Sequence, residues 1–396
     1  MNTDLGSYDA WYWSHPPIYQ KEGLYLPYTK KLKEAVHIPV IVAGKLGVPK
    51  MAEHALEEGA ADMVGLARPL LTDPFWVKKV EHHHEEQIRP CIGCHAGCLG
   101  RGFEGKPLSC AVNPACGRER YEVPQPAYRA KTVMVIGGGV AGMEAARIAA
   151  IRGHHVTIYE QGRQLGGQMI PASAPAFKVD DRRLIAWYEN ELQRLAIPIV
   201  YDTEVTKAVV AKEHPEVVIV ATGAQEVRLN LPGTDRDKVA TSIEIFTDSK
   251  KAGDRVIIVG GGLVGCETAL YLAKQGKQVT IVEAKRRILE NGGGKPIPHM
   301  NKIMLIDLLK QNNVEIITGS SLGEVTDAGA VLIDQNFRRR SIEADTIVVA
   351  VGFKPNHRLY DELSGSVPDL YLIGDAGRVG NIMNAIWTGN EIGMNC

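Results

Sequence analysis

The chain has 396 residues, enough for two or three domains of ordinary size. Its 45 Lys and Arg residues nearly balance its 46 Asp and Glu residues, giving a net charge of −1. This balance gives no support for nucleic acid or an acidic membrane surface as the main partner.

The N-terminus lacks the basic start and apolar core of a signal peptide. No apolar run reaches the roughly 18 residues of a membrane helix. We therefore expect a cytoplasmic protein without membrane or nucleic-acid partners, acting on a small-molecule substrate. Its thiols should stay reduced, so clustered cysteines point to metal binding or redox work rather than disulfides.

Residues 1–88 contain an alternating strand and helix pattern before the first cysteine. The segment "VHIPVIVAGKLGVPKMAEHALEEGAADMVGLARPLLTDPFWVKKV" predicts strand, helix, strand, helix. Val40–Ala43 and Met63–Leu66 have the composition of buried parallel strands, typical of the last two units of a (β/α)₈ barrel. In such a partial barrel we expect an exposed strand edge at Val40–Ala43, which needs covering.

Four of the seven cysteines follow within 20 residues. Their spacing is C-x2-C-x3-C-x11-C, at Cys91, Cys94, Cys98 and Cys110. A zinc site usually pairs two C-x-x-C knuckles, and no second knuckle occurs here. Three close thiolates and one distant one favour a [4Fe–4S] cluster, with zinc and inert thiols as alternatives. We interpret Cys116 as a non-ligand, and Cys266 and Cys396 as ordinary residues.

Two later segments, offset by 123 positions, nearly repeat each other. They are "VMVIGGGVAGMEAARIAAIRGHHVTIYE" and "VIIVGGGLVGCETALYLAKQGKQVTIVE". Each has strand, G-x-G-x-x-G, helix, and a second strand ending in glutamate, which is the βαβ dinucleotide fingerprint. The glycines allow a tight turn, close approach of the pyrophosphate and close helix–strand packing, and the glutamate accepts hydrogen bonds from the ribose. The predicted binding residues are Gly137, Gly139, Gly142 and Glu160 in the first copy and Gly260, Gly262, Gly265 and Glu283 in the second.

The order of these motifs resembles that of the two-dinucleotide-domain flavoprotein reductases. The resemblance implies that the first copy binds FAD and the second, inserted copy binds NAD(P)H. It also places Gly374 and Asp375, in "YLIGDAGRVGN", at the flavin ribityl chain; a helix N-cap is the structural alternative for Asp375. Glu283 favours NADH by repelling the 2′-phosphate of NADPH, although the basic residues 285–287 act in the opposite direction.

The segment "IRPCIGCHAGCLGR…LSCAVNPACGRE" narrows the resemblance. It is similar to the cluster segment of the 2,4-dienoyl-CoA reductase, trimethylamine dehydrogenase and bile-acid enoate reductase family, which joins an Old-Yellow-Enzyme-like barrel to two Rossmann-like domains. The resemblance implies that Cys91, Cys94, Cys98 and Cys110 hold a [4Fe–4S] cluster. The domain boundaries that we predict are 1–88 for the end of the FMN barrel, 89–120 for the cluster, 130–250 and 344–396 for the FAD domain, and 251–343 for the NAD(P)H domain.

The same family implies an FMN site in the barrel. Its phosphate would bind the loops after strands seven and eight, at Gly44, Lys45, Gly65 and Arg68; solvated loop charges are the alternative for the two cations. The aromatic loop "LGSYDAWYWSHPPIYQ" resembles the one after strand six, which makes Tyr12, Trp13 and His15 candidates near the substrate, with Tyr12 and His15 as proton donors. A full barrel needs about 250 residues, so we expect an N-terminally truncated member without strands one to five, in which FMN binding is in doubt.

Three functions are compatible with these motifs. The resemblance implies an NADH-dependent enzyme that passes electrons through FAD, the cluster and FMN to an activated C=C bond. A stand-alone, diaphorase-like electron-input module is the second, with a partner chain or homo-oligomer completing the barrel. A non-catalytic fragment is the third, and it is disfavoured because both fingerprints and all four cysteines are intact.

Overall fold

The computed structural model describes residues 1–290 and 296–396. Two compact units are found within that part of the chain. The first comprises Met1–Met169, Ala176–Gly223 and His357–Cys396, and the second comprises Ile170–Pro175 and Ala224–Asn356. Each contains a five-stranded sheet whose neighbouring strands are parallel. The predicted α/β fold class is confirmed.

The first unit opens with a short parallel sheet in the order β1-β2-β3. Its strands are β1 (Asn2–Thr3), β2 (Ile41–Val42) and β3 (Met63–Val64). Because β2 is paired on both sides and Val42 is fully buried, the predicted exposed edge at Val40–Ala43 is wrong. A two-residue strand such as β1 is too short to show a pattern in the sequence. The strand predicted at Met63 is present, but Met63 is 46 % exposed, so burial was wrongly predicted there.

Short helices connect and follow these strands. They are α1 (Trp11–Ser14), α2 (Leu26–Ala35), α3 (Pro49–Glu57), α4 (Arg68–Thr72) and α5 (Trp76–Glu81). Leu24, Tyr25 and Leu46 form the small core of this part with Val42. The cysteine segment that follows is mostly irregular, apart from a π-helical turn over Ala96–Gly100 and α6 (Arg101–Phe103).

The first fingerprint forms the predicted strand, helix and strand. In chain order, the elements from this fingerprint to residue 223 are β4 (Thr132–Ile136), α7 (Val140–Ile151), β5 (His155–Tyr159), α8 (Met169–Ala172), α9 (Val179–Arg194), β6 (Ile199–Val200), α10 (Lys207–Glu213) and β7 (Val217–Val220). All residues of β7 and four of the five in β4 are buried. Continuous apolar runs of this kind are typical of parallel strands covered on both faces.

The second unit contains the second fingerprint. Its elements are β8 (Ala224–Glu226), β9 (Val239–Thr241), α11 (Ser242–Phe246), β10 (Arg255–Val259), α12 (Leu263–Ala273), β11 (Gln278–Glu283), α13 (His299–Gln311), β12 (Glu315–Thr318), β13 (Ser320–Val325), β14 (Gly329–Asp334), β15 (Arg339–Glu343), β16 (Thr346–Val349) and β17 (Phe353–Pro355). The parallel sheet has the order β12-β11-β10-β16-β9, and an antiparallel sheet has the order β13-β14-β15. Strands β9 and β16 lie outside the predicted 251–343 range but belong to this sheet, where β16 pairs with β10 and β9 pairs with β16.

The last elements complete the first unit. They are α14 (Arg358–Leu363), β18 (Asp369–Leu372) and α15 (Ile382–Asn395), and the sheet takes the order β18-β7-β4-β5-β6. Helix α15 packs closely on α7, where a Cβ atom on Gly389 would lie 2.3 Å from the Ala141 carbonyl oxygen. Glycine therefore permits the approach of the two helices.

A buried ion pair within α7 is hydrogen-bonded to α15. The fully buried Glu144 carboxylate accepts two hydrogen bonds of 2.9 Å from Arg147 and one of 3.2 Å each from Tyr188 and Asn390. Burial acts to raise the pKa of Glu144, but the Arg147 guanidinium holds it below its usual value. The carboxylate thus remains charged inside the unit, with partners for both oxygens.

Candidate functional site

The three glycines of the first fingerprint turn have different surroundings: two are closely packed and one borders open space. Gly137 has φ of +109°, and a Cβ atom there would lie 2.4 Å from the Ala221 carbonyl oxygen. On Gly142 it would lie 2.0 Å from the Gly137 carbonyl oxygen. A Cβ atom on Gly139 would meet nothing within 4 Å. The first and third glycines are therefore required by packing, and the middle one borders space that a ligand can enter.

The second fingerprint turn has the same geometry. Gly260 has φ of +113° and approaches the Ala350 carbonyl oxygen, which would lie 2.4 Å from an added Cβ atom. On Gly265 such an atom would lie 1.9 Å from the Gly260 carbonyl oxygen, whereas Gly262 borders open space. Two independent turns thus leave the same position open.

Each open glycine precedes a helix. Gly139 is the N-cap of α7 and Gly262 is the N-cap of α12, and neither helix is capped by a side chain of that residue. The first N–H groups of a helix have no intrahelical acceptor, and the helix dipole favours an anion there. Both helix starts are therefore suited to a dinucleotide pyrophosphate.

The two glutamates lie beside these turns. Glu160 accepts a 2.7 Å hydrogen bond from Gly138 N–H, and Glu283 accepts a 2.7 Å bond from Gly261 N–H. Their second oxygens accept from Gly162 and Lys285 N–H at 2.7 and 2.8 Å. Each carboxylate is therefore held at the end of its strand, next to the glycine turn. The basic residues 285–287 are exposed to solvent.

The Gly-Asp turn lies in a short 3₁₀ helix over Gly374–Ala376. Gly374 has φ of +60°, and Asp375 accepts a 2.9 Å hydrogen bond from Gly380 N–H. Burial raises the pKa of Asp375. The N-cap of α15 is Asn381, which forms a capping box with Asn384, so the helix-cap alternative for Asp375 does not hold.

All four clustered cysteines line one cavity. Other lining residues include Arg68, His95 and Gly97. Ser109 joins the two ends of the cysteine segment, because its N–H and its hydroxyl each donate a 3.0 Å hydrogen bond to the Gly97 carbonyl oxygen. Cys116 is also buried, but it is not among the lining residues.

The cavity is a poor place for bare thiolates. Burial raises the pKa of Cys94 and Cys98, and raises that of Cys110 to about 12, with the neighbouring cysteines adding to each shift. Backbone N–H groups of Ala96, Leu99 and Val112 act in the opposite direction. A bound metal would supply the positive charge that keeps such thiols deprotonated, so the donor set fits a metal group.

A cluster and a single metal ion make different demands on the four cysteines. Among the described residues, no three His, Cys, Asp or Glu side chains converge on one point that a metal ion could occupy. Zinc needs its ligands at about 2.3 Å from one centre, whereas an iron–sulfur cluster distributes four cysteines over different irons. The four cysteines have the donor chemistry that either group uses, and the [4Fe–4S] cluster stays a prediction.

The cations predicted for the FMN phosphate have protein partners. Lys45 Nζ lies 3.0 Å from the Asp180 carboxylate and donates to the Gln20 carbonyl at 2.9 Å. Arg68 Nη1 lies 2.7 Å from the Pro16 carbonyl oxygen and 2.6 Å from His95 Nε2. Neither is a solvated loop charge. Their role at FMN stays a prediction.

The two glycines predicted for the FMN phosphate site differ in how closely they are packed. Gly44 has φ of +94°, and a Cβ atom there would lie 2.7 Å from the ring of Tyr25. Gly65 has ordinary surroundings, with the nearest atom 3.6 Å from an added Cβ atom. Packing therefore explains Gly44 without a ligand, and FMN binding by either glycine stays a prediction.

The predicted proton donors lie at the start of the chain. Tyr12 is in α1, and the Tyr12 carbonyl oxygen lies 3.4 Å from the Gln20 amide. His15 Nδ1 lies 3.0 Å from the Ser14 hydroxyl. Burial, followed by the nearby Arg68 charge, lowers the pKa of His15, which favours a neutral imidazole at pH 7. Their part in proton transfer stays a prediction, and Trp13 packs against the small core instead.

Sequence reasoning missed one residue next to the cysteines. The indole N–H of Trp387 donates a 3.0 Å hydrogen bond to the Cys110 carbonyl oxygen. The two residues are 277 positions apart, and no local pattern connects them. Only the position of the aromatic residue shortly after the Gly-Asp turn could have drawn attention to it.

Comparison with known proteins adds two family matches. Residues 131–389 match the model of the pyridine nucleotide-disulphide oxidoreductases. Residues 9–87 match that of the NADH:flavin oxidoreductase / NADH oxidase family. In the described part of the chain, no helix is long and apolar enough to cross a membrane.

Individual relatives match over nearly the whole chain. A cinnamate reductase from Clostridium sporogenes is 46 % identical over 395 residues, covering 100 % of this chain and 59 % of the relative. A metal reductase from Desulforamulus reducens is 36 % identical over 397 residues, covering 92 % and 58 %. A solved 2-naphthoyl-CoA reductase in complex with 2-naphthoyl-CoA has a TM-score of 0.90 at 31 % identity, covering 96 % and 57 %. The chain thus spans about three-fifths of the length of these relatives.

Proposed function

Because this chain belongs to the pyridine nucleotide-disulphide oxidoreductase family, we propose that it oxidises NADH and passes the electrons by way of FAD and a [4Fe–4S] cluster. In the whole protein, FMN would receive them and reduce an activated C=C bond. The observation that carries the proposal is that all four clustered cysteines line one cavity. The same unit holds the first fingerprint turn and the Gly-Asp turn.

The residues of the first unit would hold FAD and the cluster. The start of α7 and the open position at Gly139 would bind the pyrophosphate, and Glu160 the ribose. Asp375 would contact the ribityl chain. Cys91, Cys94, Cys98 and Cys110 would hold the cluster, with the nearby backbone N–H groups donating to the thiolates.

The residues of the second unit would hold the nicotinamide coenzyme. The start of α12 and the open position at Gly262 would bind its pyrophosphate. Glu283 would accept hydrogen bonds from the adenosine ribose and repel a 2′-phosphate. NADH is therefore the coenzyme that we propose, in preference to NADPH.

The proposed substrate is a conjugated carboxylic acid or its CoA thioester. The names of the cinnamate reductase and of the 2-naphthoyl-CoA reductase support this class. For this step Tyr12 and His15 would donate protons, and Gly44, Lys45, Gly65 and Arg68 would bind the FMN phosphate. This step requires a complete barrel. Where the missing strands are not part of the same chain, a partner chain or a homo-oligomer would supply them.

A second candidate is an electron-input module with an external acceptor. The relative named a metal reductase supports it. In this function the chain oxidises NADH and delivers single electrons from the cluster to a metal complex or another acceptor. Neither FMN nor a C=C substrate is then needed.

The experiment is anaerobic purification of the chain, with FAD, FMN and iron measured per chain, followed by reduction with NADH. We expect FAD and about four irons. If the purified protein contains no FMN, and ferric citrate but not cinnamate oxidises NADH in its presence, the result would select the electron-input module. FMN together with cinnamate turnover would select the C=C reductase.

A pair of cysteine variants tests the cluster directly. Cys94→Ala should lose the iron, because Cys94 lines the cavity. Cys116→Ala is the matched control, a buried cysteine outside the lining that should keep full iron. Full iron and sulfide in Cys94→Ala would overturn the cluster assignment.

A further inference from the structure

Consecutive residues of α15 contact the two candidate cofactor sites of the first unit. The Trp387 indole N–H donates to the Cys110 carbonyl oxygen at 3.0 Å. The Thr388 hydroxyl accepts a 3.1 Å hydrogen bond from Gly374 N–H. Cys110 lines the cysteine cavity and Gly374 begins the Gly-Asp turn. Two hydrogen bonds and one short piece of helix therefore connect the two sites.

The helix that carries both contacts is fixed in place. An added Cβ atom on Gly393 would lie 2.8 Å from the Ala145 carbonyl oxygen of α7. One turn earlier, an added Cβ atom on Gly389 would lie 2.3 Å from the Ala141 carbonyl oxygen. Asn390 donates a 3.2 Å hydrogen bond to the buried Glu144. Because α7 begins at the first fingerprint turn, Trp387 and Thr388 are held relative to that turn as well.

The Trp387 ring is also held from the side of the cysteine segment. The Arg118 and Arg101 guanidiniums lie 4.5 and 5.6 Å from its centroid. Each arginine also donates to a carbonyl oxygen of the same segment, Arg118 to Pro114 at 2.8 Å and Arg101 to Pro107 at 3.0 Å. Cations near an aromatic face are attracted to its π electrons. They also disfavour removal of an electron from the ring, so Trp387 is suited to positioning and not to being oxidised.

We propose that Trp387 and Thr388 are positioning residues that fix the cluster ligand Cys110 relative to the Gly374–Asp375 flavin turn. This inference rests on the proposed function, in which electrons pass from NADH-reduced FAD to the oxidised cluster. The rate of that passage then depends on how much of the time the two sites are held together. A net hydrogen bond of about 1 kcal/mol corresponds to a factor of about five in the ratio of held to released conformations, so its loss slows the passage by at most about that factor.

The first test is Trp387→Phe in the protein loaded with FAD and cluster. Phenylalanine keeps an aromatic ring between the arginines and removes only the N–H donor. We expect unchanged FAD and iron content and unchanged reduction of FAD by NADH. We also expect cluster reduction, followed by EPR after rapid freezing, to be slower by up to about fivefold, and the EPR signal of the reduced cluster to change. Trp76→Phe is the matched control, since it loses an indole N–H bond of 3.0 Å to the Gly47 carbonyl of the same unit and does not line the cysteine cavity.

The second test uses a pair of substitutions at Thr388. Thr388→Val has nearly the same shape but leaves Gly374 N–H without its acceptor, whereas Thr388→Ser retains the hydroxyl. We expect slower cluster reduction and weaker FAD retention in the valine variant, and recovery of both in the serine variant. A purely structural effect of residue volume would instead make the smaller serine the worse of the two.

The outcomes separate this inference from the proposed function. Wild-type protein without FAD or iron would overturn the proposed function, and the inference with it. Loaded wild-type and Trp387→Phe proteins with the same cluster reduction rate and the same EPR signal would overturn the inference alone. An equal slowing in Trp76→Phe would also overturn it, because the effect would then not be specific to the contact with Cys110.

Discussion

Replacing Gly97 by alanine should prevent the cysteines from holding the cluster. A Cβ atom at this position would lie 2.6 Å from Ala111 N and from the Cys110 carbonyl carbon, both backbone atoms. Since ordinary van der Waals contact begins at 3.4 Å, the Cys110 segment would have to retreat by about 0.8 Å from the backbone next to Cys98. Metal sites tolerate about 0.2 Å in ligand distance. The displacement is several times larger, so the four thiols should no longer bind together.

The assay is iron and acid-labile sulfide per chain after anaerobic reconstitution, with far-UV circular dichroism as a check on folding. Gly102→Ala is the matched control in the same segment, because an added Cβ atom there meets nothing within 4 Å. We expect full iron in Gly102→Ala and well under one cluster per chain in Gly97→Ala, with helix and strand content retained in both. Equal iron in the two variants would refute the idea that close approach of the two cysteine segments builds the site.

Two other predictions concern the coenzyme turns and the buried ion pair. Gly262→Val should unfold at the wild-type temperature, because Gly262 borders open space and its φ of −72° suits valine, but NADH should no longer reduce FAD in this variant. Gly139→Val should instead lose FAD. Reduction of FAD by NADH in both variants would contradict the assignment of the turns. Arg147→Met should lower the free energy of unfolding in urea by about 3–5 kcal/mol, since it leaves the fully buried Glu144 without its counter-charge. Arg163→Met, which removes an exposed pair with Asp202, is the control and should leave the urea midpoint unchanged.

The nucleotide-binding turns could be predicted because their information is local. A strand, three glycines and a helix within about ten residues determine the turn, and the structure reproduces this geometry at Gly137 and again at Gly260. The position of Glu160 also follows from the sequence, because it directly follows the strand that pairs with β4. Similar local reasoning found the Gly374–Asp375 turn, although it did not identify Asn381 as the helix cap.

Non-local features were harder to predict. The covering strand Asn2–Thr3 is identified only by its pairing with Ile41–Val42, which a two-residue run cannot signal. The sheet of the second unit draws in Val239–Thr241 and Thr346–Val349 from outside the predicted range, since strand pairing in a parallel sheet depends on crossovers. For the same reason the contact between Trp387 and Cys110 has no signature in either segment.

The cysteine loop illustrates how such distant contacts complete a local motif. Arg89, two residues before Cys91, donates to the Val112 carbonyl at 2.9 Å and to the Asn113 side chain at 3.2 Å, and so ties the start of the loop to its end. Its guanidinium also stacks on Trp187 of α9, 4.4 Å from the ring centroid. The spacing of the cysteines therefore provides the ligands, whereas the arginine and the helices of the nucleotide fold bring those ligands into one cavity. Preorganisation of this kind would lower the entropy cost of binding the proposed metal group, and contacts from distant residues explain why the motif alone does not give the place of the cysteines in the fold.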